Sequence, residues 1–233
     1  MKYPYLLLDA DNTLFDFDAG NRHAFHEVCA RYDIPDTEES FRCYERCNNA
    51  MWAAFDRGEC TKDFLVVERF RRFLKEMALD RDAARCNELH LQVLGQNTLL
   101  LPHALEVCRG LSREHRLYIV TNAVAAVQRS RLAGSAIAPY ITGAFISEEA
   151  GASKPSAAYF DYVFSRIDGI TRENCLLVGD SLSSDIRGAN NYGLPCCWYN
   201  PKEAARPEDL RIDYEILDLR QLYDLVKDFI RSD

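Results

Sequence analysis

The sequence of 233 residues lacks any long uncharged hydrophobic run. Its first apolar segment, Leu6 to Leu8, ends directly on the acid Asp9, and it is far too short for the core of a signal peptide or for a membrane span. No later segment approaches the length that a membrane requires. We therefore expect a cytoplasmic protein that has no membrane partner.

Concentrated positive charge is missing as well. The 28 Lys and Arg residues are outnumbered by 36 Asp and Glu, which gives a net charge of −8. The densest basic cluster, Arg69, Arg71 and Arg72, is interleaved with Phe70 and Phe73 at helical spacing, a pattern that favours a solvated helix face. Proteins that bind duplex nucleic acid concentrate positive charge on one surface, so we predict no nucleic-acid partner.

The nine cysteines include neither a CxxC pair nor a cluster with histidine. Cys43 and Cys47 share a predicted helix face, and Cys196 and Cys197 are adjacent. A zinc site would need two more ligands close to such a pair, and the sequence offers none nearby. We expect reduced thiols that serve mostly as small core residues.

The hydrophobic residues, 48% of the chain, are grouped in short runs of the kind expected for strands buried on both faces of a parallel sheet. The runs are residues 6–8, 117–120, 143–146, 175–178 and 196–199, and 214–216 adds an edge strand. Helical patterns over 124–132, 158–167 and 184–191 separate the later runs, and an amphipathic helix over 219–230 packs back on the sheet. The alternation predicts an α/β fold with a doubly wound, Rossmann-like parallel sheet.

The segment between the first two runs, residues 19–101, contains no strand-like pattern and is typical of about four amphipathic helices. A crossover between parallel strands needs only a dozen or so residues, so this insertion is large enough for a helical domain of its own. We predict a catalytic core formed by 1–18 and 102–233, and an inserted α-helical cap domain over 19–101. Pro102 marks the return to the core.

Polar residues follow the predicted strands at the points where they end. They are Asp9 and Asp11 after the first run, Thr121 and Asn122 after the second, Lys154 after the third, and Asp180 and Asp185 after the fourth. Ligands of open α/β sheets bind at the carboxyl ends of the strands, so these side chains are expected to share one edge. Carboxylates placed close together repel one another unless a cation binds between them. With a lysine and a threonine nearby, this group favours a site for a divalent cation and a phosphate.

In this order and placement, the residues resemble the four signature motifs of the haloacid dehalogenase-like (HAD) superfamily. The motifs are Asp9-x-Asp11-x-Thr13-Leu14, Thr121-Asn122, Lys154-Pro155 and Gly179-Asp180-x-x-x-x-Asp185. The helical insertion after the first motif resembles the first type of cap in that superfamily. The dehalogenases of the superfamily lack the second acid of the first motif, because a halide leaving group needs no proton. The resemblance therefore implies a phosphohydrolase.

The resemblance also implies a role for each motif residue. Asp9 would attack phosphorus and form an aspartyl-phosphate, which water then cleaves. Asp11 would protonate the leaving oxygen and then activate that water. Thr121, the backbone N–H of Asn122 and the charge of Lys154 would bind the phosphoryl oxygens and stabilise the reaction's developing charge.

A magnesium ion is the cofactor that this resemblance implies. Asp9 and Asp180 would bind Mg²⁺ through their carboxylates and Asp11 through its backbone carbonyl. Asp185 would orient metal-bound water from behind these ligands. An all-oxygen site of this kind suits Mg²⁺.

Four segments resemble one branch of the superfamily, the pyrimidine 5′-nucleotidases that clear nucleoside monophosphates, including noncanonical ones. They are residues 9–18, 146–151, 179–186 and 197–201. Phe17 and Trp52 either stack on the base of a nucleotide substrate or are ordinary core side chains. Arg22, Asn48 and Asn49 are either polar groups that read the substrate or surface residues.

Other functions remain open. One alternative is a phosphatase of sugar phosphates or phosphoglycolate, or a mutase similar to β-phosphoglucomutase, within the same superfamily. Outside the enzymes, the alternative is a descendant that only binds a metabolite or partner, although such a protein has little reason to keep Asp11 beside Asp9. The expected partner is a small-molecule phosphate ester, and the sequence leaves open whether the protein is a monomer or a dimer.

Overall fold

A computed structural model describes residues 2–227 and contains a six-stranded parallel sheet in the order β3-β2-β1-β4-β5-β6. The strands are Tyr5–Leu8 (β1), Arg116–Thr121 (β2), Gly143–Ile146 (β3), Cys175–Gly179 (β4), Cys196–Tyr199 (β5) and Tyr214–Ile216 (β6). The chain order reverses beside β1, as in doubly wound sheets. The predicted fold class is therefore confirmed, and 214–216 is the edge strand that the sequence predicts.

The apolar runs arise because the sheet is covered on both faces. In β1, Leu6 and Leu8 belong to one hydrophobic cluster and Leu7 to another, as the alternation of side chains along a strand requires. Every residue of β1 and β4 is buried. A strand with two buried faces has no position for a polar side chain, so polar residues come only where the strand ends.

The chain forms two compact units. The core unit comprises the described parts of 1–16, 100–125 and 132–233, and the helical unit comprises 17–99 and 126–131. Four helices of the helical unit are Phe17–Tyr32 (α1), Glu38–Asp56 (α2), Lys62–Glu76 (α3) and Ala83–Gln96 (α4). The side chains of Thr37, Thr61 and Asp82 cap the first turns of α2, α3 and α4 by accepting backbone N–H bonds.

Arg69 is buried inside the helical unit, so the prediction of a solvated face is wrong at this position. Its guanidinium donates to Asn48 Oδ1 at 2.9 Å and to Asn87 Oδ1 at 3.1 Å, and it lies 3.3 Å from His90 Nδ1. Amide and imidazole acceptors take the place of the water that the charge has lost. Arg71, by contrast, is exposed, as predicted for this cluster.

The remaining described helices belong to the core unit, apart from residues 126–131 of α6. They are Ala104–Leu111 (α5), Ala125–Gly134 (α6), Ser147–Ala150 (α7), Ala157–Phe164 (α8), Arg187–Tyr192 (α9) and Leu222–Val226 (α10). The sequence predicts neither α5 nor α7. A wide turn of π type over Leu182–Ile186 replaces the start of the helix predicted for 184–191. The predicted helix 219–230 is a 3₁₀ turn followed by α10, and its last three residues lie outside the described ones.

Within residues 2–227, no helix combines the length and the apolar character that crossing a membrane demands. The nine cysteines are free thiols, and all except Cys60 are buried, as expected for core residues.

Candidate active site

Three adjacent strands, β1, β2 and β4, end within two residues of one another, and most of the predicted polar residues follow them. Leu8, the last residue of β1, pairs with Ile119 of β2 on one side and with Val178 of β4 on the other. Asp9 directly follows β1, and its backbone N–H donates to Val178 O at 2.8 Å. The parallel register thus brings the ends of β1, β2 and β4, with the side chains that follow them, to one edge of the sheet.

Lys154 is the electrostatic centre of this edge. Its Nζ donates to Asp9 Oδ1 at 2.7 Å, to Asp185 Oδ1 at 2.6 Å and to the backbone oxygen of Val120 at 2.7 Å. An ammonium group has three protons, so all of its donors are used. The side chain is only 1% exposed, which means that these three acceptors replace water completely.

The two carboxylates keep Lys154 charged. Burial lowers the pKa of Lys154, but the charges of Asp185 and Asp9 outweigh burial and hold the pKa above its ordinary value. Burial raises the pKa of Asp185 to about 7, although the ammonium of Lys154 opposes this shift. The two partners differ because Lys154 faces two carboxylates, whereas Asp185 faces one ammonium group and the repulsive charge of Asp9.

Asp180 completes a group of three acids with Asp9 and Asp185. One carboxylate oxygen from each lies within 4.8 Å of the others. Burial raises the pKa of Asp180 well above its ordinary value, and repulsion from Asp9 and Asp185 raises it further. Clustered carboxylate oxygens around a partly buried space form a donor set that fits Mg²⁺, which prefers oxygen ligands.

Thr13 links two of these acids. Its side chain is fully buried, and Oγ1 lies 3.1 Å from Asp9 Oδ2 and 3.3 Å from Asp180 Oδ1. Asn12 precedes it in the left-handed conformation, with φ of 59°, so the chain turns back immediately after β1. The sequence shows Thr13 only as one position of the first motif and does not reveal that its side chain bridges two acids.

Gly179 makes room for Asp185. A Cβ atom at this position would lie 2.3 Å from both Cγ and Oδ2 of Asp185, far inside van der Waals contact. The same Oδ2 accepts the backbone N–H of Ser181 at 3.1 Å. Only a glycine at the end of β4 lets the π-type turn place Asp185 against the strand and within reach of Lys154.

Asn122 fixes the backbone of Lys154. Its Nδ2 donates to the carbonyl oxygen of Lys154 at 2.8 Å, and its Oδ1 accepts the N–H of Lys154 at 3.0 Å. Thr121 is buried at the end of β2, and its Oγ1 accepts the backbone N–H of Ala123 at 3.1 Å, which leaves its hydroxyl proton available to an acceptor. The side chain of Asn122 therefore has a positioning role that the sequence does not reveal.

Trp198 holds the opposite side of the site. Its indole Nε1 donates to the backbone oxygen of Asp180 at 2.9 Å, and its side chain is almost fully buried in β5. A buried indole needs such an acceptor, and here the acceptor is the residue that carries the third acid. The sequence indicates Trp198 only as part of residues 197–201, one of the segments that resemble pyrimidine 5′-nucleotidases.

Asp11 lies in the loop after β1 and is partly buried. It forms an isolated bridge with Phe15, so the loop folds back on itself around this residue. Its carboxylate is not one of the three grouped acids. Asp11 therefore lies outside the group of three acids, although only Ala10 separates it from Asp9 along the chain.

Three residues of the helical unit that the sequence suggests for substrate recognition contact other side chains of that unit. Asn48, one candidate for reading the substrate, is buried and accepts a hydrogen bond from Arg69. Arg22 is 42% exposed and pairs with Glu38. Trp52 packs edge-on against Phe55, with ring centroids 5.7 Å apart.

A family model for haloacid dehalogenase-like hydrolases matches residues 3–193. The chain belongs to this family. Membership confirms the resemblance that the four motifs carry and the prediction that this chain is a hydrolase.

Three relatives are similar to almost the whole chain. The HAD-hydrolase YfnB of Bacillus subtilis is 35% identical over 97% of this chain and 96% of its own length. Pyrimidine 5′-nucleotidase PynA of Streptococcus pneumoniae is 32% identical over 96% and 95% of the two chains. Pyrimidine 5′-nucleotidase YjjG of Escherichia coli is 30% identical over 97% and 99%.

A solved structure is also similar to this one. The crystal structure of YfnB bound to magnesium superposes with a TM-score of 0.93 and covers 97% of this chain and 100% of the YfnB chain. The two share the fold that the strand order describes.

Proposed function

We propose that this chain is a magnesium-dependent phosphomonoester hydrolase that acts through an aspartyl-phosphate on Asp9 and prefers pyrimidine nucleoside 5′-monophosphates. The observation that carries the proposal is the environment of Asp9. Its two oxygens are held separately, Oδ1 by Lys154 and Oδ2 by Thr13, at the carboxyl end of the central strand. A carboxylate has no proton to lose, so it attacks without a neighbouring base.

The reaction runs in two displacements. An Asp9 oxygen forms a bond to phosphorus while the bond from phosphorus to the ester oxygen breaks, and Asp11 gives that oxygen a proton. Asp11 then takes a proton from water as the water attacks phosphorus. The second displacement releases inorganic phosphate and restores the carboxylate of Asp9.

The other motif residues stabilise charge during both displacements. Lys154 keeps its positive charge, as the raised pKa indicates, and remains beside the Asp9 oxygen while negative charge spreads over the phosphoryl group. Thr121 has a hydroxyl proton for a phosphoryl oxygen, and Asn122 holds the Lys154 backbone in place. Asp185 anchors the lysine ammonium from the far side.

The grouped acids are suited to a magnesium ion. Asp9 and Asp180 would hold Mg²⁺ together with the backbone carbonyl of Asp11, and Asp185 would orient its water. Bound there, the ion supplies positive charge that offsets the repulsion between the carboxylates and the phosphoryl group. Oxygen atoms of three acids within 4.8 Å of one another support this assignment.

The substrate preference is supported by the relatives. Two proteins named pyrimidine 5′-nucleotidases match this chain over nearly its full length at 32% and 30% identity. In this proposal the helical unit is the cap that selects the substrate, because the core motifs are shared by enzymes with different substrates.

A substrate panel tests the proposal. The measurement is kcat/KM with Mg²⁺ for UMP, dUMP and dTMP against AMP, glucose phosphates and phosphoglycolate. We expect the pyrimidine nucleotides to lead. A lead of tenfold or more for a sugar phosphate or phosphoglycolate, about 1.4 kcal/mol in transition-state free energy, would contradict the nucleotide preference and leave the phosphatase chemistry intact. Failure to hydrolyse any phosphate ester would contradict both.

A further inference from the structure

A second group of metal-ligating side chains lies in the helical unit, between α2 and α3. The Sγ atom of Cys43 is 3.3 Å from Glu76 Oε2, and the Sγ atom of Cys47 is 3.5 Å from Glu76 Oε1. One ligand atom from each residue lies within 4.8 Å of the others. We propose that Cys43, Cys47 and Glu76 form a zinc site that is separate from the acids of the active site.

The spacing of the ligand atoms supports a tetrahedral centre. With Zn–S bonds of about 2.3 Å and Zn–O bonds of about 2.0 Å, two ligands of a tetrahedron stand about 3.5 Å apart. Each sulfur lies near this distance from one oxygen of the Glu76 carboxylate, Cys43 Sγ at 3.3 Å from Oε2 and Cys47 Sγ at 3.5 Å from Oε1. Cys43 and Cys47 are four residues apart on α2, so the helix itself presents both thiols on one face.

The chemistry of the donors selects the metal. Thiolates are soft ligands that favour zinc over magnesium, whereas the carboxylates of the active site favour magnesium. Zinc binding forms two bonds from sulfur and one from a carboxylate oxygen, and it releases the two thiol protons to solvent. The fourth position falls to water, because the Glu76 side chain is 51% exposed and opens the site to solvent.

Arg46 balances the remaining charge. Two thiolates, one carboxylate and Zn²⁺ leave one net negative charge, and Arg46 Nη2 donates to Glu76 Oε2 at 3.0 Å. Such an outer partner orients a ligating carboxylate and raises metal affinity. Glu76 is distant in the sequence, 29 residues beyond Cys47, and it reaches the two thiols only because α3 packs on α2.

Cobalt titration tests the site in the full-length protein. The reduced, metal-free protein, with its nine thiols verified by titration, is kept in excess Mg²⁺ to occupy the active-site acids. One equivalent of Co²⁺ is expected to produce the near-ultraviolet absorption of sulfur-to-cobalt charge transfer, and Zn²⁺ is expected to abolish it. Carboxylates give no such absorption, so the signal reports the thiols alone.

Variants identify the ligands. In the C43S/C47S variant we expect no charge-transfer absorption. Glu76→Gln keeps both thiols and the shape of the side chain, so we expect the absorption to persist with an affinity at least about tenfold weaker. Cys60→Ser is the control, because Cys60 is the partly exposed thiol of the same unit and has no part in the site.

Three outcomes would overturn the proposal. They are no absorption at stoichiometric Co²⁺, an absorption that survives in C43S/C47S, and an equal loss in Cys60→Ser. If the double serine variant does not fold, Glu76→Gln decides: its side chain is exposed, and an unchanged Co²⁺ affinity would remove Glu76 from the site and with it the proposal.

Discussion

At the residue scale, Asp9 has the environment expected of a nucleophile. Lys154 and Thr13 each donate a hydrogen bond to one of its two oxygens and so hold the carboxylate in place. Asp9→Asn keeps the shape of the side chain but has no anionic oxygen to attack phosphorus. We expect kcat for phosphate-ester hydrolysis to fall by a factor of at least about 1,000, or about 4 kcal/mol, with circular dichroism unchanged.

The matched control for that variant is Asp168→Asn, an exposed aspartate of the core unit. It should retain wild-type activity. Activity of Asp9→Asn above a trace, with deamidation back to aspartate excluded by mass spectrometry, would show that Asp9 is not the nucleophile.

Asp11 should matter in proportion to the basicity of the leaving oxygen. Proton donation helps a departing alkoxide far more than a departing aryl oxide, because the alkoxide is the stronger base. We expect Asp11→Asn to reduce kcat/KM on an alkyl phosphate by a factor of about 100 or more, and to reduce it much less on p-nitrophenyl phosphate. Equal losses on the two esters would indicate that Asp11 only positions other groups.

How much of the site the sequence predicts depends on what each residue contributes. The positions of Asp9, Thr121 and Asp180 are predictable because a strand buried on both faces is apolar along its length, so that the first polar residue marks its end. The sequence cannot predict which backbone atoms side chains will hold. Asn122 bonds to the main chain of Lys154 across 32 positions, and Trp198 bonds to that of Asp180 across 18. Such bonds depend on three-dimensional packing rather than on any local pattern.

At the scale of elements, the end of β4 and the turn after it form one unit. Gly179→Ala would push a Cβ atom against the Asp185 carboxylate, which would have to leave its place beside Lys154. We expect a loss of about 1–3 kcal/mol in the free energy of unfolding, typical of overpacking, together with a large fall in kcat. Chemical denaturation and steady-state kinetics measure the two effects.

Gly95→Ala in α4 is the control for this substitution. Its added Cβ would meet atoms no closer than 3.8 Å, which is ordinary contact, so alanine should leave activity unchanged and stability equal or higher. A Gly179→Ala protein with wild-type stability and activity would mean that Asp185 can move at no cost.

The helices of the helical unit enclose a neutral histidine. His90 of α4 faces Arg69 of α3, Tyr44 of α2 and Asn21 of α1, and no carboxylate contacts it among the described residues. Arg69 donates to Nδ1, so the proton of the ring is on Nε2, where Asn21 Oδ1 lies 3.0 Å away. Burial and the charge of Arg69 hold the pKa of His90 well below its ordinary value.

This depressed pKa makes stability depend on pH. The unfolded chain protonates His90 below about pH 6.5 while the folded chain does not, so stability is full above that pH and falls as the pH decreases toward the folded pKa. The slope from this one group is about 1.4 kcal/mol per pH unit. We expect the His90→Gln variant to lack this slope, so that the difference in unfolding free energy between wild type and variant changes by about 1.4 kcal/mol per pH unit. Urea denaturation from pH 7 to pH 5 measures it.

His23→Gln supplies the comparison, because His23 is an exposed histidine of the same unit. Its unfolding free energy should follow the wild-type pH dependence. A His90→Gln variant that retained the wild-type slope would place the acid sensitivity elsewhere.

The elements also differ in how well their sequences predict them. The six strands are predicted because short apolar runs bounded by polar residues are typical of buried strands and of few other elements. The turn Leu182–Ile186 is not, since its wide π-type geometry arises from Asp185 bonding to the N–H of Ser181 and to Lys154. The short helix α7 holds only four residues, too few to show a helical period.

At the scale of the whole molecule, the three grouped acids make the metal-free protein less stable than its core would allow. Asp180 is partly buried beside the charges of Asp9 and Asp185, and Lys154 offsets only part of that repulsion. A cation that binds this group in the folded state alone should stabilise the protein by mass action, by about 2.7 kcal/mol at a concentration 100 times its Kd. For a chain of this size that corresponds to a rise in Tm of roughly 5–10 °C.

Asp180→Ala separates this metal effect from the packing of the fold. Without Mg²⁺, the variant loses one of three mutually repelling acids, so we expect its Tm to equal or exceed that of the wild type. With Mg²⁺, we expect the wild-type Tm to rise and the variant's Tm to stay constant. EDTA should abolish the activity of the wild type, whereas the variant should have little activity even with Mg²⁺. Calorimetry of both proteins in EDTA, in Mg²⁺ and in Ca²⁺ measures these differences. Full wild-type activity in excess chelator would contradict the magnesium requirement. A variant Tm well below that of the metal-free wild type would contradict the predicted relief of repulsion. It would show that the hydrogen bond between Asp180 and Thr13 stabilises the fold more than the charge of Asp180 destabilises it.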